Sequence, residues 1–253
     1  MHIDLSGRVV LVTGATGDLG RVMVRTLAAC GADVGIHYHR NVDMAEELRR
    51  EVAALGRRAC TVKADVSEQA GVLAMRDRLR ADLGDPDILV NNAVIQYRWT
   101  RILEQDPADY EGQYRSSVLH SVLMAQAFVP AMIAKRWGRV IGISTECVMQ
   151  NHPTQSAYVA GKRGMDGVLR CLAREVGEHQ VTVNQVAPGW MISDRDRSAH
   201  SEVQAGYTAS VPLQRRGVDQ DIANAVAFLA SDLAGFISGA WLPVCGGNVM
   251  PSI

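Results

Sequence analysis

The chain has 253 residues, 47% of them hydrophobic and 21% charged, with a net charge of -1 when its seven His are counted neutral. That is room for one large core, and the near-neutral balance points away from nucleic-acid and anionic-membrane partners. Its five Cys lack C-x-x-C spacing and read as reduced cytoplasmic thiols, not as a disulfide framework or metal site.

No continuous apolar run reaches the ~18 residues of a membrane span. The opening Met1-His2-Ile3-Asp4 has no signal-peptide character. No repeat or linker interrupts the chain, so a single domain over 1–253 is expected. The apolar, β-branched run 8–13 predicts a buried strand. The turn Gly14-Ala15-Thr16-Gly17-Asp18-Leu19-Gly20 follows, and then a helical pattern through Cys30. Strand 34–38, helix 43–55, strand 58–63, helix 68–83 and a strand from Asp87 ending at Asn91-Asn92-Ala93 come next. One long helix is predicted over 107–133, then strand 138–144, helix 155–178 and strand 181–187. A polar excursion over 193–216 reads as a mobile substrate lid, before helix 219–230 and a last strand at 240–244. Strands alternating with helices, and apolar on both faces, predict an α/β Rossmann-type doubly wound sheet of about seven parallel strands with helices on both faces. In such a sheet ligands bind beyond the carboxyl ends of the strands.

The glycine turn lies at such an end. Gly14 allows a sharp turn, Gly17 a close backbone approach, and Gly20 tight helix–sheet packing, while the helix N-terminus attracts a pyrophosphate. Asp18 would repel that group if it pointed inward, so a helix-capping role is expected for it. The second strand runs into His39 and Arg40 with no Asp or Glu. A carboxylate would suit a free ribose 2′-OH, whereas cations suit a 2′-phosphate, so NADP(H) is expected over NAD(H). Tyr158 and Lys162 stand four apart on one predicted helix. An ammonium beside a phenol favours the phenolate, which makes the pair a general acid/base for a C–O–H group.

With the glycine turn, Asp65, Asn91-Asn92-Ala93, Tyr158/Lys162 and Pro188-Gly189 in this order, the chain resembles the short-chain dehydrogenase/reductase superfamily over essentially its whole length. It is most similar to the short single-domain branch that includes the β-ketoacyl-carrier-protein reductases. The resemblance implies NAD(P)-dependent hydride transfer between nicotinamide and a small-molecule carbonyl or secondary alcohol. It implies Tyr158 as proton donor, Lys162 on the nicotinamide ribose, and Thr145, thirteen residues before the Tyr, on the substrate oxygen. Thr16 and Leu19 fall within the implied cofactor turn, Asp65 and Val66 by the adenine, and Asn92 and Ala93 beyond the fourth strand. Pro188-Gly189, Met191 and Ser193 fall around the nicotinamide. A homotetramer or homodimer is also implied.

Four positions depart from the family pattern. Val94 follows Asn-Asn-Ala where Gly is usual, and the glycine spacing resembles that of a longer, sugar-nucleotide-acting branch. Cys245 replaces a closing Asp. Ser117, with Ser116 beside it, takes the slot of an Asn that holds a backbone carbonyl and a water in the proton relay. These departures leave two other readings open: a catalytically weakened cofactor-binding protein, and an epimerase or dehydratase using the same Tyr/Lys. Val94, Gln96, Glu146, Gln150, His152 and Trp190 are the candidate substrate residues. Glu146, next to Thr145, suggests a polar ketone, polyol or amine-bearing substrate.

Overall fold

The β-branched runs pair into one parallel sheet in the computed structural model, which describes residues 2–251. Its strands are β1 (Val9–Val12), β2 (Asp33–Tyr38), β3 (Ala59–Lys63), β4 (Ile88–Asn91), β5 (Gly138–Ile143), β6 (Val181–Pro188) and β7 (Trp241–Val244). They lie in the order β3-β2-β1-β4-β5-β6-β7, each pair parallel. The chain winds outward in both directions from β1 and β4. The crevice above that reversal is where such sheets bind ligands.

Successive side chains on a strand point to opposite faces, so each central strand feeds two cores. Val10 and Val12 pack with α1 (Asp18–Ala29) and α2 (Val42–Ala54) on one face. Val9 and Leu11 pack with α3 (Gln69–Asp82) on the other. Met23, Val24 and Leu27 of α1 are fully buried, and burying side chains of this size stabilises by about 1.5–3 kcal/mol each.

The predicted long helix is three elements instead of one. α4 (Pro107–Gln113) passes into a π-helical turn, Tyr114–Leu119, and then into α5 (His120–Lys135). By length and composition the stretch 107–135 passes for a membrane span, although no continuous apolar run in it reaches 18 residues. In this fold α5 instead packs Met124, Phe128 and Met132 into the core beneath β4 and β5. Beyond β5, α6 (Cys147–Gln150) is a single turn, and α7 (Ser156–Val176) is the helix that carries Tyr158 and Lys162. The polar excursion holds α8 (Asp194–Ser198) and α9 (Ala205–Ser210), and α10 (Asp219–Ala230) returns to cover the sheet beside α1.

Candidate active site

Geometry at the glycine turn excludes side chains at two positions. Gly14 has φ +61°, and a Cβ there would lie 2.9 Å from the Cα of Ala93. A Cβ at Gly20 would lie 2.3 Å from the Gly14 carbonyl oxygen. The turn is pinned from outside as well. The Gly14 amide donates to Nδ1 of His37 at 2.9 Å, and Nε2 of that ring lies 3.1 Å from the Ala64 carbonyl oxygen. One ring nitrogen therefore accepts and the other donates, so His37 is neutral, and burial pulls its pKa down to about 4. Asn92 donates from its side-chain amide to the carbonyls of Thr13 and Gly14, at 2.9 and 3.1 Å.

α1 begins with Gly17 as its N-cap and no side-chain capping bond. The capping role expected of Asp18 is therefore wrong. Its carboxylate accepts from Arg21 at 2.6 Å instead, an i,i+3 pair that turns the charge along the helix. The N–H groups of the first turn stay free for an anion. Above them opens a cleft of ≈1040 Å³. Every residue expected at the cofactor lines it except Ser193, including His39 and Arg40 beyond β2. The cradle fits a dinucleotide, since a Cβ even at Gly17 would meet nothing closer than 3.4 Å. Ser193 is excluded because its hydroxyl closes a capping box with Asp196 at the start of α8.

Tyr158, Lys162 and Thr145 meet in the same cleft. Lys162 is buried and donates to the Ile143 carbonyl oxygen at 2.6 Å. Burial lowers its pKa to about 8. The lowering of the Tyr158 pKa expected from Lys162 is not found. Desolvation pushes the phenol up, and the Thr145 hydroxyl is the group that opposes it. The reason is geometric: the ammonium is turned to Ile143 and stands 5.9 Å from the centre of the phenol ring. Ser144, by contrast, is occupied, because its hydroxyl accepts from the Trp241 indole at 3.0 Å. Ser117 does not line the cleft; it is buried in the π turn, and its hydroxyl has no partner.

Of the expected substrate residues, Val94 and Gln96 line the cleft, and Glu146, Gln150 and Trp190 do not. Glu146 is buried and spent on structure: it accepts from the Tyr207 hydroxyl at 2.8 Å and from the Asn248 amide at 3.0 Å. That removes the argument for a polar substrate. Trp190 lies edge-on to Tyr207 and beneath the Arg216 guanidinium. His152 is exposed. Near the mouth an aromatic wall rises instead, with Trp99 stacked on Tyr158 at 5.9 Å and Tyr97 stacked on Trp99 at 6.2 Å. The excursion is anchored at both ends. Arg21 pairs with Asp194, and the buried Arg216 donates to the carbonyls of Trp190, Met191, Ser201 and Glu202 and to Asp196.

Residues 14–248 match the family model described as enoyl-(acyl carrier protein) reductase. The chain belongs to the short-chain dehydrogenase/reductase family. It is 36% identical over 248 residues to the 3-oxoacyl-[acyl-carrier-protein] reductase FabG of Escherichia coli K12, covering 98% of this chain and 100% of the relative. A solved structure from Sinorhizobium meliloti, assigned as a short-chain alcohol dehydrogenase, superposes with TM-score 0.89 at 30% identity, covering 98% of both chains. Another from Agrobacterium tumefaciens, assigned as a gluconate dehydrogenase, gives TM-score 0.91 at 27% identity over 99% of this chain and 100% of that one. Like these relatives, this short-chain dehydrogenase/reductase is an NAD(P)-dependent oxidoreductase working between C=O and CH–OH.

Residue patterns missed several parts of this family member's site. His37, Tyr97, Trp99, Tyr207 and Arg216 carried no motif. The Ser193-x-x-Asp196 spacing was a legible capping signal that the family slot overrode.

Proposed function

We propose that the protein is an NADPH-dependent carbonyl reductase with Tyr158 as its general acid/base. The observation that carries this is the convergence of Tyr158, Lys162 and Thr145 in the one cleft that begins at the glycine turn. A nicotinamide bound there supplies the hydride. Tyr158 gives its proton to the carbonyl oxygen, and Thr145 beside it holds that oxygen by hydrogen bond. Lys162 would hold the nicotinamide ribose, and with a pKa of about 8 it is mostly charged at neutral pH. Turned from Ile143 onto that ribose, its charge would favour the phenolate left behind.

His39 and Arg40 in the cleft, with no carboxylate at the end of β2, support NADPH over NADH. The scattered free cysteines support a cytoplasmic location. A single catalytic domain, assembled as a homodimer or homotetramer, completes the reading. Light scattering after gel filtration tests the assembly.

NADPH consumption with a panel of ketones tests the activity, with Tyr158→Phe as the control. Consumption undiminished in that variant overturns the mechanism. Tight NADPH binding with no consumption by the parent favours a cofactor-binding protein instead. The cofactor choice is tested by dissociation constants for NADPH and NADH, in the parent and in Arg40→Ala. Equal affinities in the parent overturn it.

A further inference from the structure

The polar groups packed around Lys162 outnumber the partners that the protein gives them. The π turn Tyr114–Leu119 adds a residue to the helical repeat, a geometry often found at functional sites. Ser116 and Ser117 are buried in it, and neither hydroxyl has a hydrogen-bond partner. His120 begins the next turn and is only 2% exposed. Its Nδ1 lies 3.1 Å from the Ser116 carbonyl oxygen. A carbonyl only accepts, so Nδ1 carries the proton and Nε2 is left as a bare acceptor. That Nε2 has no protein partner, and neither has either atom of the Asn91 amide at the carboxyl end of β4.

Buried polar groups are almost always satisfied, by protein or by ordered water. The nearby Lys162 ammonium has three N–H donors, and one goes to Ile143. The π turn packs directly on α7, the helix of Lys162: a Cβ at Gly161 would lie 2.8 Å from the Gln113 carbonyl oxygen and one at Gly164 2.7 Å from the Val118 side chain. Burial holds the His120 imidazole neutral, helped first by His37 and to a smaller degree by Lys162. Unused donors on Lys162 and unused acceptors on the π turn therefore lie in one buried region. Ser116 also lines the cofactor cleft, so the group opens towards solvent at one end.

We propose that His120 is a positioning residue for the proton supply: its Nε2 holds an ordered water that accepts from Lys162 and connects it with the Ser116 and Ser117 hydroxyls. The idea rests on Tyr158 passing a proton to substrate at each reduction, since that proton has to be replaced from solvent past a buried Lys162. A serine at position 117 reaches less far than an amide. The imidazole from the following turn supplies the fixed acceptor that Ser117 is too short to provide. No bond other than O–H and N–H forms or breaks; a proton enters at the water and an equivalent one leaves on the alcohol product.

The test uses the fastest ketone of the panel with His120→Ser, His120→Phe and the double variant Ser117→Asn/His120→Ser. His120→Phe keeps the volume and removes the acceptor, so it stands in if the smaller side chain unfolds the protein. In the single variants kcat falls about tenfold or more, while KM and the NADPH dissociation constant stay within about twofold. The solvent isotope effect on kcat rises, and the double variant regains most of the lost rate because an amide again holds the water. Single variants with parental kcat overturn the proposal. So does a loss of kcat matched by a loss of NADPH affinity, or a double variant no faster than His120→Ser. A crystal structure of the NADPH complex gives a reading independent of turnover: a water within hydrogen-bond reach of Nε2 is expected, and a protein side chain bonded there overturns the inference. If no ketone is reduced, the reductase reading falls first, and the water at Nε2 decides this one.

Discussion

Removing the Glu146 carboxylate separates a structural acid from a substrate-binding one. The side chain is 3% exposed, and its two oxygens take one hydrogen bond each from Tyr207 and Asn248. Glu146→Ala strands both donors, at about 1–3 kcal/mol for each if left buried and unpaired. Water entering the space lessens this, so a loss of about 2–4 kcal/mol is expected, or a Tm lower by roughly 5–15 °C for a chain of this length. Glu146→Gln is milder, because its oxygen can accept from Asn248 while its amide donates to the Tyr207 hydroxyl. Desolvation raises the Glu146 pKa. A carboxyl with a raised folded pKa stabilises the fold fully below its unfolded pKa, and that contribution is lost as pH rises through the folded value. Glu146→Gln removes this slope, so it gains on the parent as pH rises through that window. Thermal melts from pH 4 to 8 measure both effects. Equal losses for Ala and Gln refute the reasoning. So does an unchanged Tm with KM raised for polar ketones and not for apolar ones, which would return Glu146 to the substrate.

Gly20→Ala forces a Cβ to within 2.3 Å of the Gly14 oxygen. Overpacking of this kind costs about 1–3 kcal/mol, and NADPH fluorescence titration should show weakened binding; an unchanged Tm and affinity would deny the close packing. Arg216→Ala frees the excursion, so limited proteolysis between residues 194 and 215 should quicken, and cofactor binding should slow it. Acid should act similarly: the hydrogen bond from Arg216 holds the Asp196 pKa well below the usual carboxylate range, a contribution present above the unfolded value and lost as pH falls through the folded one. Parental rates for the variant, or pH-independent cleavage, count against the Arg216 anchor. For His37 the gap between 6.5 and about 4 is worth roughly 3 kcal/mol. That stability is complete above 6.5 and is lost as pH falls towards 4, so His37→Gln should flatten the acid side of the denaturant-stability profile; a profile identical to the parent's would refute it.

The glycine turn and the sheet were legible because their causes are local. A missing Cβ at Gly14 and β-branched runs such as 9–12 leave direct marks on the sequence. Helical spacing put Tyr158 and Lys162 on one face, and the motifs before and after them gave the pair its role. Glu146 was misread because its partners lie 61 and 102 residues away in the chain. The π turn was invisible because one extra residue shifts the helical phase without changing residue type. His120 gave no signal for the same reason: its meaning depends on which carbonyl and which empty space that turn brings to it.

The excursion between β6 and α10 is tied at its start by Arg21–Asp194 and at its end by the buried Arg216. Between those ties, Tyr207 is held by Glu146, Val211 by burial, and the Ser201 and Ser210 hydroxyls by Asp196 and Asn248. The rest of 199–214 is therefore replaceable text between fixed brackets. A library that varies the exposed positions, while keeping Arg21, Asp194, Ser201, Tyr207, Ser210, Val211 and Arg216, can reshape the entrance without disturbing the dinucleotide cradle.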